Sequence, residues 1–461
     1  MQNIPRGMKA HIGIFGKRNV GKSSILNALT KQDISIVSET AGTTTDPVEK
    51  SMELLPLGPV LFVDTAGIDD EGALGLQRVE KTKKVIDRID LAIIVADFKG
   101  FDKFEELLIK EFETRKTPFI IVINKTDELY PSPNSIPFCC SSSPPVGEDR
   151  GEVVQGYRKI ESFFVKGEGV FQHESKARAL EKLGEGSLAQ LQKYQVQIVY
   201  TSALLKKGID DLKQAIIKNV PESFFSETSI ASDLIKAGEV AVLVVPIDLE
   251  APKGRLILPQ VQTIRDLLDN DSIVMVTKER ELKKTLDNFK TPPALVITDS
   301  QAFLKVSADV PRNIKLTSFS ILFARFKGEL NEFVKGTMAI EDLKSGDKIL
   351  ICESCTHHAI GDDIGRVKIP RWITQYTGKK LEFEHYAGHD FPPNIKDYAL
   401  IIHCGACMTN RREILSRILK AKEANVPMTN YGLTIAYSLG IFERALEPFE
   451  GAKLIYDELT K

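Results

Sequence analysis

The segment Gly16-Lys17-Arg18-Asn19-Val20-Gly21-Lys22-Ser23 fits the spacing G-x-x-x-x-G-K-[ST], with the strand-like run HIGIFG leading into it and the helix-like KSSILNALT leading out. A loop of this spacing turns successive backbone N–H groups toward phosphate oxygens at a helix N-terminus. It constrains the fold around it to a buried strand, a tight turn and a helix. The runs VLFVDTAG, LAIIVADF, FIIVINKTD and QIVYTSA follow, separated by helical stretches. Short β-rich runs alternating with helices are the pattern of a parallel sheet covered on both faces. The expected fold class is α/β, with a P-loop domain over residues 8–220 and two further α/β domains over 232–335 and 336–461. The 128–195 stretch is read as an insertion, because it begins with the Pro- and Ser-rich YPSPNSIPFCCSSSPPVGEDRG and exceeds an ordinary connection.

Each further motif adds a contact to the same ligand. Lys22 is placed to reach β- and γ-phosphates, Ser23 to ligate Mg²⁺, and Gly16, Gly21 and Ser24 complete the cradle. Asp64-Thr65-Ala66-Gly67 ends an apolar run, so Asp64 sits at a strand's carboxyl end where it can hold Mg²⁺ and Gly67 can offer its N–H to the γ-phosphate. Asn124-Lys125-Thr126-Asp127 selects guanine, whose ring N–H and amine pair with a carboxylate, and Thr201-Ser202-Ala203 closes the base pocket. Four boxes in this order resemble the translation-factor class of GTPases. That resemblance implies GTP and GDP as ligands, GTP hydrolysis as activity, and Lys22, Thr44, Asp64 and Gly67 as the catalytic set.

Gly42-Thr43-Thr44-Thr45-Asp46-Pro47 is similar to the switch I of MnmE- and Era-type GTPases, with Thr44 as the expected Mg²⁺-sensing residue. Asn19 resembles the asparagine that helps hold K⁺ in the MnmE branch; the alternative is a loop residue that caps a turn. Ile68 stands where Ras-like enzymes carry a water-orienting Gln, so slow, K⁺-stimulated turnover is expected.

Lys and Arg number 61 against 63 Asp and Glu, a net charge of -2, which gives no global basic field for nucleic acid. No apolar run is long enough to span a bilayer, and Met1–Met8 carries no signal-like apolar stretch, so a soluble cytoplasmic protein is expected. In a reducing compartment closely spaced cysteines read as metal ligands. Cys355-x-His357 and His403-Cys404-x-x-Cys407 each end a strand-like run, so two parallel strands can bring their carboxyl ends to one site. Three thiolates suit a cubane cluster or, with a histidine, Zn²⁺. Cys352 is expected to be a buried small hydrophobe, and Cys139-Cys140 falls in the insertion.

A P-loop domain, a middle stretch containing LVVPIDLEAPKGRLILPQVQ, and a C-terminal CTHH with HCGACM together resemble the HydF family, the maturation GTPases of FeFe-hydrogenase. The resemblance implies a dimerisation domain over 232–335, a 4Fe-4S cluster-binding domain over 336–461, and a homodimer. It implies Cys355, Cys404 and Cys407 as cluster ligands, with His357 and His403 at the family's histidine positions. It further implies radical-SAM maturases and the hydrogenase as partners, and a role as carrier of the diiron subcluster precursor. The competing expectation is an RNA- or ribosome-associated GTPase with a structural zinc site.

Overall fold

The computed structural model describes residues 5–31, 47–65, 81–97, 103–129, 196–221, 229–246, 256–354 and 363–461. It divides into a unit of Met8–Ser226 and a unit of Glu227–Lys461 that also takes in Pro5–Gly7. No helix among the described residues is long and apolar enough to cross a membrane.

The first unit is built on six strands: β1 Ala10–Phe15, β2 Val48–Leu54, β3 Gly58–Asp64, β4 Leu91–Asp97, β5 Phe119–Asn124 and β6 Ile198–Tyr200. They lie in the order β2-β3-β1-β4-β5-β6, all parallel except β2, which runs antiparallel to β3. The central strands are buried along their whole length, which is why they read as unbroken apolar runs rather than as alternating ones. Alternation survives in which face each residue serves. Ile12, Ile14, Val60, Phe62, Ile93 and Val122 pack with Ile25, Leu29 and Leu212, while Phe15, Leu61, Val63, Ile94 and Ile121 pack with Ile89, Ile109 and Phe112 on the other face.

The second unit contains two four-stranded sheets, each wholly parallel. One has β7 Val240–Val244, β8 Ile273–Thr277, β9 Leu295–Thr298 and β10 Lys315–Ser318, in the order β10-β9-β7-β8. The other has β11 Lys348–Glu353, β12 Glu382–Ala387, β13 Leu400–His403 and β14 Met428–Asn430, in the order β12-β11-β13-β14. Counted along the chain, both sheets have the order second-first-third-fourth. This is a topological repeat that no fixed period in the sequence announces. Each sheet therefore has a switch point, between β7 and β9 and between β11 and β13, where chain direction out of the sheet reverses and a crevice opens at the strands' carboxyl ends.

One core joins the two sheets: Val242, Val296 and Leu316 share it with Leu350, Cys352, Ile401 and Met428. The opposite face of the last sheet, Ile349, Ile351, Leu400 and Ile402, is covered by Ile369 and Ile373 of helix Ile369–Thr377. Cys352 is thus a core residue, and burial raises its thiol to about 12. Edge strand β8 is different. Ile273, Met275 and Val276 are exposed on it, an apolar edge of the kind that sheets ordinarily hide.

Arg444, on the short helix Phe442–Leu446, is buried and donates to the carbonyls of Ser307, Val310 and Pro311 at 2.6, 2.6 and 3.0 Å. It closes the end of helix Phe303–Asp309, which leads into β10, against the C-terminal helices. Arg444→Met should lower the stability of the second unit by about 2–4 kcal/mol, since three carbonyls, that of Val310 buried, lose a charged donor. Denaturation followed by the fluorescence of Trp372, the single tryptophan, measures it; a midpoint unchanged from wild type would mean that water replaces the guanidinium at no cost.

Candidate functional site

The first site lies at the carboxyl ends of β1, β3 and β5. The loop leaving β1 is wound tightly. Gly16 has φ 143 and Gly21 has φ 96, both in the region that favours glycine, and Asn19 takes φ 63, which asparagine tolerates better than most residues. A Cβ on Gly16 would lie 2.2 Å from the Val95 carbonyl oxygen, and one on Gly21 would lie 2.2 Å from Asn124 Nδ2. The glycines at these positions are thus dictated by close approach to β4 and β5.

Lys22 opens helix Lys22–Lys31 but its buried ammonium bends back, donating to the carbonyls of Gly16 at 2.9 Å and Lys17 at 2.6 Å. A charge held by two loop carbonyls is poised to exchange them for phosphate oxygens. Ser23 Oγ donates to Asp64 Oδ2 at 2.6 Å. The other oxygen, Asp64 Oδ1, is buried with no hydrogen-bond partner. Burial raises the Asp64 pKa, opposed by the Ser23 hydrogen bond and by Lys22 and Lys50. A serine hydroxyl beside a carboxylate with an orphaned oxygen is a hard-oxygen donor set that fits Mg²⁺. Thr65 ties this strand end to β1, its Oγ1 donating to the Ile14 carbonyl at 2.7 Å.

The base pocket is cross-linked through Asn124. Its Nδ2 donates to the Val20 carbonyl of the phosphate loop at 3.0 Å, and its Oδ1 accepts from Thr201 Oγ1 at 3.1 Å and from the Ala203 N–H at 3.2 Å. Lys125 takes φ 59, and Ser202 Oγ donates to Asp127 Oδ1 at 2.5 Å, which orients the carboxylate. Phosphate loop and base pocket are therefore one hydrogen-bonded assembly, and the structure brings Gly16, Asn19, Gly21, Lys22, Ser23, Ser24, Asp64, Asn124, Lys125, Asp127, Ser202 and Ala203 to one end of one sheet. Thr44 and Gly67 lie outside the described residues, as do Cys139 and Cys140.

The second site lies at the switch point between β11 and β13. The N–H of Cys404 donates to the Cys352 carbonyl at 2.9 Å, the last rung before the chain turns away. The turn runs through Ala406, which takes φ 56, and the Ala406 N–H faces Cys404 Sγ, 3.5 Å away. The Ser354 N–H donates to the same sulfur at 3.1 Å. Cys407 is mostly buried; burial foremost, and the neighbouring Cys404, push its thiol up to about 12, with Lys327 opposing. Lys327 is itself buried and donates to the Gly7 carbonyl at 2.6 Å. Two free sulfurs on one turn, one of them receiving backbone N–H groups, form a soft donor set that fits iron–sulfur or zinc ligation. Cys355, next in the chain after Ser354, and His357 lie outside the described residues. Among the described residues no group of three or more metal-ligating side chains is assembled.

His403 differs from what its place in the motif suggests. It is buried, its Nδ1 faces the Cys404 carbonyl at 2.9 Å, and its Nε2 is 2.8 Å from Arg417 Nη1. Burial, then Arg417, hold it neutral, with a pKa down to about 3. Arg417 and its partner Glu413, 2.6 Å away, were not singled out by the sequence. Their signal there is an i,i+4 pair of opposite charge in RREILSR, a spacing that equally describes a solvated helix face.

Comparison with known proteins divides the chain along the same lines. Residues 11–125 match the model of the 50S ribosome-binding GTPase domain, residues 230–328 the hydrogen maturase F dimerization domain, and residues 331–448 the hydrogen maturase F tetramerization domain. The GTPase Der of Wolinella succinogenes is 43% identical over 123 residues, covering 25% of each chain, and that of Campylobacter jejuni strain 81-176 is 42% identical over 121 residues, covering 25% of this chain and 26% of the relative. The chain thus spans about a quarter of the length of the curated relatives it matches. Among solved structures, a point variant of Aquifex aeolicus Era bound to GDP.AlF4- is 21% identical with a TM-score of 0.29, covering 61% of this chain and 98% of that one. With a GTPase domain followed by both hydrogen maturase F domains in sequence, the chain belongs to the hydrogen maturase F family.

Proposed function

We propose that this chain is a GTP-hydrolysing maturation factor that assembles the diiron subcluster precursor of FeFe-hydrogenase, receiving it from radical-SAM maturases and delivering it to the hydrogenase in the cytoplasm. The observation that carries the reading is one chain holding both a guanine-nucleotide pocket and a strand-end thiol pair, its three parts matching a GTPase domain and two hydrogen maturase F domains in order.

In the first unit the P-loop amides and Lys22 bind the phosphates, Asp127 and Asn124 hold guanine, and Thr44 and Gly67 complete the γ-phosphate contacts. Bound Mg²⁺, held by Ser23 and Asp64 with Thr44, supplies neutralisation of phosphate charge. Turnover is slow for want of a water-orienting Gln; Asn19 would hold K⁺, which would supply positive charge to offset that of the transition state. In the second unit Cys355, Cys404 and Cys407 would hold a 4Fe-4S cluster, which would supply an iron with an exchangeable position, and His357 stands two residues after Cys355 in the sequence. The domains are 8–220 for nucleotide, 232–335 for dimerisation and 336–461 for the cluster. The exposed apolar edge β8 supports homodimerisation through the middle domain.

Lys22→Ala should lower GTP hydrolysis by ~10²-fold or more, because it removes the charge that follows the phosphates into the transition state, while leaving iron content at the wild-type level. Phosphate release and an iron assay read both; unchanged turnover would remove Lys22 from the mechanism.

Exchanging K⁺ for Na⁺ at constant ionic strength should slow hydrolysis by wild type and leave an Asn19→Ala variant at one low rate in both salts. Equal wild-type rates would leave Asn19 as the residue that satisfies a left-handed loop position, and nothing more.

Cys404→Ser and Cys407→Ser should each abolish or strongly reduce cluster binding after anaerobic reconstitution, with GTPase activity near wild type. EPR of the reduced protein is the measurement. Tight stoichiometric zinc and no iron in the wild-type protein would favour a structural zinc site in an RNA-associated GTPase instead.

A further inference from the structure

Arg417 is the most enclosed guanidinium at the thiol site. It projects from helix Arg411–Glu423 and is 3% exposed. One nitrogen, Nη1, lies 2.8 Å from His403 Nε2; the other, Nη2, donates to Glu413 Oε1 at 2.6 Å and to the Gly388 carbonyl at 2.8 Å. The Phe391 ring stacks near its plane, 5.4 Å from centroid to Cζ. Glu413 is buried as well, with its Oε2 3.0 Å from His389 Nδ1.

An arginine can only donate, so His403 Nε2 must accept. His403 Nδ1, facing the Cys404 carbonyl, therefore carries the ring proton. Neither nitrogen keeps a lone pair for iron. Gly388, just past the end of β12, sends its own N–H to the Glu353 carbonyl at the end of β11. One guanidinium thus holds the carboxyl ends of β12 and β13 directly and, through Gly388, that of β11, so it braces both strand ends, β11 and β13, that flank the thiol site. A buried ion pair returns less stability than a well-packed apolar pair of the same volume, so packing alone gives no reason for charges here.

We propose that Arg417, clamped by Glu413, is a positioning residue for the cysteine site: by donating to His403 Nε2 it keeps that ring from ligating, it fixes the main chain at Cys404, and it supplies, beside Lys327, a fixed positive charge that raises the reduction potential of the bound cluster. The proposal rests on the reading that Cys404 and Cys407 hold a 4Fe-4S cluster. Reduction adds negative charge to a cluster, and a fixed cation nearby favours the reduced form. Glu413 offsets part of this field, but it binds Nη2, whereas Nη1 is the nitrogen that faces His403 beside Cys404, so removing both charges should still lower the potential.

Wild type, Arg417→Lys and the double variant Arg417→Met/Glu413→Gln are reconstituted anaerobically with iron and sulfide, assayed for iron, and titrated redox-potentiometrically with EPR detection. The double variant leaves no unpaired buried charge, and it should take up iron at the wild-type level with its midpoint potential shifted to more negative values. Arg417→Lys keeps the charge but cannot reach His403, Glu413 and Gly388 together, so it should hold the potential near wild type and change the EPR line shape. An unchanged potential in the double variant overturns the proposal, and so does an Arg417→Lys signal that matches wild type in every line. Should the double variant fail to fold, the Arg417→Lys line shape alone decides. Wild type that takes up no iron overturns the cluster reading and this proposal with it, whereas iron in wild type with indifferent variants overturns this proposal alone.

Discussion

Parallel strand pairing is the constraint on which both sites depend. Parallel strands need crossover connections, so every strand in such a sheet ends at the same edge, and side chains far apart in sequence arrive there together. In the first unit this brings Gly16, Asp64, Asn124 and Ser202 to one edge, from the ends of β1, β3, β5 and β6. In the last sheet it brings Ser354 and Cys404 into contact from the ends of β11 and β13. The chemistry differs between these edges, oxygen and amide in one and sulfur in the other, but the same geometry of hydrogen-bonded strands positions it.

The nucleotide pocket was legible in the sequence because each of its parts is a short contiguous motif at a strand end, and a strand end is recognisable from the apolar run before it. The structure adds what contiguity cannot carry. Asn124 reads as part of a base-recognition quartet, yet its amide also reaches across to Val20 and excludes any side chain at Gly21. The thiol turn was legible for the same reason, through YALIIHCG. Arg417, Glu413 and His389 were not, since they lie on a helix and a turn that reach the site only through tertiary packing. His389 reads as a surface histidine, and it is in fact partly exposed; what the sequence does not convey is that its ring ends on a buried carboxylate. Thr44, Gly67, Cys355 and His357 fall on stretches outside the described residues, and for them the sequence remains the source.

The two sheets of the second unit share a strand order but differ in what they present at their strand ends and edges. Each has a switch point, at β7/β9 and at β11/β13, but among the described residues only the second has cysteines at the strand ends beside it. The first sheet instead exposes Ile273, Met275 and Val276 on an edge strand. Periodicity in sequence failed to reveal this kinship because topology depends on the order in which buried strands pair, and any β-branched or aliphatic residue satisfies a buried strand. Val242 and Leu350 lie on the corresponding first strands, β7 and β11, of one common core without any motif in common.

Both sites carry polar groups that stability alone would not select. Asp64 keeps one carboxylate oxygen buried without a hydrogen bond, and its raised pKa records the cost of that burial. Lys22 occupies two carbonyls that would otherwise serve the loop itself. Cys407 is held where burial disfavours its thiolate, the form in which a thiol binds metal. A ligand would reverse each penalty in its own way: a cation would satisfy the orphaned carboxylate, phosphate would replace the carbonyls at Lys22, and a metal at Cys407 would stabilise the thiolate and release its proton. A ligand bound at either place would therefore stabilise the unit that contains it by relieving a penalty already built into the fold.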